Sequence, residues 1–146
     1  MEGKRKVFIM TFSMPIGGVE SALIAMLNHI DYTAYEVTLF LVAEEGERLK
    51  DIPAQVKVEA LRKKDRIYVD NIAFAIQMLR EVRYFPFAMD RILLSVRHRL
   101  CGMLGIRMDM WQHLSRRVST YPDSFDAAID YSGFLKGYII DKVDAG

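Results

Sequence analysis

The sequence predicts an α/β fold with a Rossmann-like, mainly parallel sheet flanked by helices. Three observations carry this. Residues 7–12 are a continuous apolar run, as in a strand buried on both faces. A paired glycine, Gly17-Gly18, follows and opens a helical periodicity. Strand-like and helix-like stretches then alternate along the chain, the pattern of parallel strands joined by helical crossovers.

Taken in order, residues 7–12 are the first strand. The next stretch, 19–30, places Val19, Leu23, Met26, Leu27 and Ile30 on one helical face. Residues 35–43 are β-branched and aromatic and predict a second strand, ended by Glu44-Glu45-Gly46. A short helical turn is expected over 48–52, before Pro53. Residues 56–61 alternate as a third strand, and 62–66 read as a charged loop. Residues 67–118 read as about three helices, broken near Pro86 and near Gly102 to Gly105. Residues 125–131 predict a fourth strand ended by Ser132-Gly133, and a last helix begins over 134–143. No further strand follows to finish a doubly wound sheet. The expectation is therefore one Rossmann-like domain over 1–146 that is a piece of a longer protein.

With 146 residues and 51% hydrophobic content, the chain can bury one sizeable core. Lys plus Arg number 20 against 19 Asp plus Glu, so net charge gives no reason to expect a polyanionic partner. The local distribution is uneven. Residues 72–118 carry eight arginines against three carboxylates, an excess of five. No lysine-rich stripe or recognition motif points to nucleic acid. Cys101 is the single cysteine, which rules out an internal disulfide and suits a reducing cytoplasm. No apolar stretch reaches the roughly 18–20 residues of a membrane span. His29, His98 and His113 show no metal-ligand spacing with Cys101 or with one another, so no metal is expected. No cofactor is expected either.

The order strand, glycine-closed loop, helix builds a cradle of main-chain amides at a helix N-terminus, outside the carboxyl end of a strand. Unpaired N–H groups and the helix dipole both suit an anionic ligand, typically phosphate. The candidates on this loop are Ser13, Met14, Pro15, Gly17, Gly18 and Glu20. An ordinary tight turn also uses such glycines, and Glu20 in a first helical turn also serves as a cap. A second loop at the same edge supplies Asp130, Tyr131, Ser132 and Gly133, which would contact an acceptor hydroxyl or simply end the strand and cap the next helix. In the arginine-rich region Arg83, Arg91, Arg97, Arg99 and Trp111 would meet an anionic membrane surface. Core packing with solvated arginines accounts for the same residues.

Ile16-Gly17-Gly18-Val19-Glu20, then Tyr35-Glu36-Val37-Thr38-Leu39 and Ile52-Pro53-Ala54-Gln55-Val56-Lys57-Val58, resembles the amino-terminal domain of glycosyltransferase family 4, of the GT-B fold. Phe125-Asp126-Ala127-Ala128-Ile129-Asp130-Tyr131 is similar to a later strand of that domain, while 62–120 is alike only in being helical. The resemblance implies a two-domain hexosyltransferase using a nucleotide-sugar donor and a glycan or lipid-linked acceptor, as in cell-surface polysaccharide synthesis. The amino-terminal half mainly binds acceptor, and its glycine loop approaches the donor pyrophosphate. The donor-binding half and its paired glutamates have no counterpart in these 146 residues, so no catalytic residue is assigned and the chain alone is expected to be inactive. The place implied is the cytoplasm, with peripheral contact on the inner face of the membrane. An exposed apolar sheet edge would favour a homo-oligomer. The alternative is a non-catalytic Rossmann-like module that binds a phosphorylated ligand or a partner protein. A dinucleotide enzyme is disfavoured, because the first turn lacks Gly-x-Gly-x-x-Gly.

Overall fold

Alternate side chains of the first strand build two different cores, one aliphatic and one aromatic. The computed structural model describes residues 3–133 and 135–146. Its elements are β1 (Arg5–Thr11), α1 (Gly18–Asn28), β2 (Tyr35–Leu41), a 3-10 turn (Glu47–Asp51), β3 (Lys57–Ala60), α2 (Lys63–Val69), α3 (Ile72–Met78), α4 (Phe85–Met103), α5 (Met110–Ser115), β4 (Ser124–Phe125), β5 (Ala127–Asp130), α6 (Lys136–Lys142) and β6 (Asp144–Ala145). They form two compact units, one of Met1–Leu61 with Thr120–Gly146, the other of Arg62–Ser119.

The first unit is an α/β fold around a four-stranded, all-parallel sheet of order β3-β2-β1-β5. Ile9 pairs in register with Leu39, and both face α1, where Leu23 and Leu27 join them with Val37 and Leu41. On the other face Phe8 meets Phe40, Tyr121 and Phe125 with ring centroids 5.0–5.4 Å apart, and Tyr138 of α6 stacks on Phe40 at 5.9 Å. Each such large apolar side chain taken fully from water contributes about 1.5–3 kcal/mol. Helices thus cover both faces, which is why β1 reads as an unbroken apolar run rather than an alternating one.

The second unit is helical. Ile67, Ala75, Met78 and Ala88 form its core, with Phe74, Tyr84 and Ile92 packed against it. It holds four helices rather than three, because the stretch before Pro86 is interrupted at Asp70-Asn71, where Asn71 caps α3 by accepting from the Phe74 amide; the charged stretch expected as a loop also starts α2 early, at Lys63. Lysine and arginine are good helix formers, and Ile67 and Tyr68 on the inner face supply the burial that fixes it. The Asp65 carboxylate, also buried, lies within reach of the Ser119 amide and hydroxyl. The break expected near Pro86 is present: α3 ends at Met78 and α4 begins at Phe85, with Pro86 in its first turn, where its missing N–H costs nothing. α4 ends as the glycines indicate. Gly105 takes φ +71°, and the Ile106 amide donates back to the Cys101 carbonyl at 2.8 Å, closing a Schellman turn.

Two further expectations are corrected. The strand read over 125–131 is split at Asp126, whose carboxylate accepts from the Lys6 amide at 2.6 Å and whose own amide donates to the Lys6 carbonyl. This diverts Phe125 into β4, and β5 continues alone beside β1. A strand also follows the last helix: β6 pairs in parallel with β4, through two residues on each strand, too few for any periodicity to announce. The last helix, expected over 134–143, is α6; Phe134 lies outside the described residues.

Candidate functional site

The four-stranded sheet carries a topological switch point. From β1 the chain moves outward through β2 to β3, and β5 returns on the opposite side of β1. In open parallel sheets ligands bind outside the carboxyl ends of the two strands at such a point. The Met10–Asp130 register puts those ends side by side, and the Tyr131 amide extends the pairing by donating to the Met10 carbonyl at 2.9 Å. Both candidate loops therefore leave one edge of one sheet as neighbours, although more than 100 residues separate them.

The first loop is anchored at one residue and open at the next. Met14 is fully buried in the core beneath α1, so its side chain packs the fold and does not face a ligand. Its amide donates to the Glu45 carbonyl at 2.9 Å, and its carbonyl accepts from the Arg48 amide at 3.0 Å. Gly46 makes this contact possible. At φ +119° its Cα lies so close to the Met14 carbonyl that a Cβ there would collide with it. Ser13 is half buried, and Pro15 is exposed.

Beyond Met14 the chain turns outward. Gly17 is the N-cap of α1 in extended backbone and supplies no side-chain cap. No acceptor among the described residues takes the amides of Gly18, Val19 or Glu20. Gly18 is exposed with open space where a Cβ would sit, and neither Gly17 nor Gly18 has positive φ. The backbone conformation thus does not require glycine at 18; the free space lets a ligand approach the main chain closely. Ile16 and Val19, 73% and 53% exposed, rim this spot with apolar surface.

Two charged side chains frame it. The Glu20 carboxylate folds back over Gly17, so that a Cβ on Gly17 would strike its Oε2. Glu20 occupies the third helical position, where a carboxylate complements the dipole, and it holds negative charge where an anion would bind. Arg48, from the 3-10 turn, reaches 27 residues back in sequence to donate to Ser21 Oγ at 2.9 Å. Ser21 Oγ in turn donates to the Gly17 carbonyl at 2.7 Å, and Arg48 also pairs with Asp51 at 3.1 Å. Arg48 therefore sets a guanidinium beside the first turn of α1. The sequence reading missed it, since nothing in the spacing of the 3-10 turn shows that its arginine reaches another element.

The second loop spends its polar groups on itself. Asp130 Oδ1 accepts from the Ser132 hydroxyl at 3.0 Å and the Gly133 amide at 2.9 Å, and Oδ2 accepts from the Leu135 amide at 2.7 Å. Gly133 has φ +75°, the left-handed turn that bends the chain toward α6. Tyr131 packs partly into the aliphatic core. Asp130 is thus a loop organiser, and Ser132 and Gly133 are its donors. Among the described residues no group of three or more His, Cys, Asp or Glu side chains could hold a metal ion.

The arginine-rich candidates all fall in the helical unit. Arg83 is exposed, with its guanidinium 5.8 Å from the Tyr84 ring centre. Arg97, exposed on α4, lies 3.2 Å from His113 Nε2, and Arg99 is exposed on the same helix. Arg91 is turned inward: it contacts Ser95 Oγ, its Nε is buried without an acceptor among the described residues, and burial lowers its pKa. Trp111 is half buried in α5. Leu93, Val96, Leu100 and Met103 form an exposed apolar stripe on α4, between 50% and 78% exposed. Among the described residues no helix is long and apolar enough to cross a membrane.

Comparison with protein-family models, with curated proteins and with solved structures gives no match for this chain.

Proposed function

We propose that this chain is the acceptor-side half of a GT-B sugar transferase, similar to glycosyltransferase family 4, and that it receives the donor's pyrophosphate at the amino end of α1. One observation carries the reading. At the switch point of the sheet, three successive main-chain amides lack an acceptor among the described residues, and the space above Gly18 is open. Charge-assisted hydrogen bonds from such amides suit phosphate oxygens, and Arg48 lies close enough to add a cation. The exposed stripe on α4, flanked by Arg97 and Arg99, supports a lipid-linked acceptor met at a membrane surface.

The test is transfer by the gene's full natural product, offered a panel of nucleotide sugars with membrane-derived acceptors. Release of nucleoside diphosphate that Gly18→Val abolishes supports the reading; no release from any donor contradicts it. A second reading has its own support. Asp130, the carboxylate at the β5 edge, accepts three hydrogen bonds from its own loop, which commits it to organising that loop rather than to taking a proton from substrate. This favours binding without chemistry: a Rossmann-like module that holds a phosphorylated ligand. It predicts saturable binding with no turnover.

A further inference from the structure

The helical unit contains a cavity of about 460 Å³ lined by Arg62, Lys63, Lys64, Arg83, Tyr84 and Phe87. Four of its six lining residues are cations. One nearby carboxylate, Glu81, is engaged by Lys63 at 2.6 Å. Arg62, Lys64 and Arg83 have no ion-pair partner among the described residues. Three unneutralised cations around one cavity repel one another unless an anion enters. The aromatic residues are arranged unequally. Lys63 Nζ lies 5.1 Å and the Arg83 guanidinium 5.8 Å from the Tyr84 ring centre, so that ring serves to seat cations. Phe87, one helical turn on, is 37% exposed and has no ring or cation partner among the described residues.

From this juxtaposition of free cations and a free ring we infer that the cavity is a binding site for a phosphomonoester bearing an apolar or ring-shaped group, with the phosphate on Arg62, Lys64 and Arg83 and the organic part on Phe87. Phosphate fits better than a carboxylate for two reasons. It carries close to two charges against three free cations, and its oxygens match the forked donors of the two arginines. The site lies wholly within the helical unit and does not depend on the sugar-transfer reading.

Isothermal titration of the whole chain with phenyl phosphate and with inorganic phosphate tests it. Both are expected to bind, with affinity falling as salt rises. The double variant R62Q/K64Q should weaken both by about tenfold or more, while Lys50→Gln, which removes an exposed cation of the sheet unit, changes neither. Phe87→Ala should weaken phenyl phosphate by about threefold and leave inorganic phosphate unchanged. Phosphatidylcholine vesicles doped with phosphatidic acid separate the two sources of such a group. Sedimentation abolished by R62Q/K64Q assigns a lipid headgroup, and absence of sedimentation assigns a soluble phosphomonoester. Phenyl phosphate bound equally by the double variant and the natural chain overturns the inference, as does failure of the natural chain to bind phenyl phosphate, inorganic phosphate or the doped vesicles.

Discussion

Two glycines of the sheet unit should respond in opposite ways to alanine, and the contrast separates a glycine the fold needs from one a ligand needs. Gly46 has φ +119° and ψ 150°, backbone that an L side chain rarely enters. Its substitution costs about 1–3 kcal/mol in strain alone. The new Cβ also strikes the Met14 carbonyl, which accepts from the Arg48 amide while the Met14 amide donates to the Glu45 carbonyl, above a fully buried side chain. Overpacking against so fixed a neighbour adds about 1–3 kcal/mol. The total of about 2–6 kcal/mol is a large share of the 5–15 kcal/mol or so that stabilises an ordinary domain. At Gly18 an added Cβ meets nothing within 4 Å in helical backbone. Alanine there should leave stability unchanged or raise it by up to about 1 kcal/mol. Because the single tryptophan, Trp111, belongs to the helical unit, guanidinium unfolding should be followed by far-ultraviolet circular dichroism and by amide exchange in β1 and β2. A Gly46→Ala midpoint equal to that of the natural chain would refute the reasoning. So would a Gly18→Ala loss as large as that of Gly46→Ala.

Other outcomes follow from the same geometry. Glu20→Gln removes a negative charge from the amino end of α1, so inorganic pyrophosphate should bind about two- to fivefold more tightly by titration calorimetry; weaker binding would make Glu20 a ligand contact. Asp130→Ala deletes three accepted hydrogen bonds and should cost about 1–3 kcal/mol in denaturant unfolding, with Asp130→Asn recovering part of it. Burial, then hydrogen bonds to Asp90 and Glu59, raise the pKa of Tyr68 and Tyr121 above the usual tyrosine value. Their folded forms hold the proton longer than the unfolded chain, so this contribution to stability is complete below about pH 10 and is lost as pH rises beyond it, by up to about 1.4 kcal/mol per pH unit for each tyrosine. Unfolding midpoints measured across that range should fall, and Tyr121→Phe should flatten the decline. Leu100→Glu, in the middle of the exposed α4 stripe, should reduce sedimentation with anionic vesicles; undiminished sedimentation would remove α4 from any membrane contact.

How much of this was legible depended on the range of the interaction responsible. β1, α1 and β2 are long, and each is fixed by a pattern within itself: the apolar run from Val7, the helical spacing of Leu23 and Leu27, the β-branched stretch from Tyr35. Their extents agree with the sequence to within two residues. The neighbouring position of the two candidate loops also followed from the alternation of strands and helices, since a parallel sheet gathers its carboxyl ends on one edge. What escaped was set by contacts between distant residues. Asp126 breaks its strand because the Lys6 backbone, 120 positions away, satisfies it. Residues 63–66 are helical because burial of Ile67 and Tyr68 overrides their loop-like charge. Arg48 joins the site through Ser21, and Met14 leaves it because it anchors the loop in the core. The chemical identity of an anion-binding edge also left no mark in spacing. Asp130 and Glu20 resemble ligand contacts in sequence, and only coordinates reveal that one organises a loop and the other folds over Gly17.

The most direct test is an amide-resolved magnetic resonance titration of the isotopically labelled chain with inorganic pyrophosphate. Saturable shifts are expected at the amides of Gly18, Val19 and Glu20 and at Arg48, all diminished by Gly18→Val. Unmoved resonances there, with shifts confined to the cavity around Arg62 and Lys64, would contradict anion binding at the carboxyl edge of the sheet.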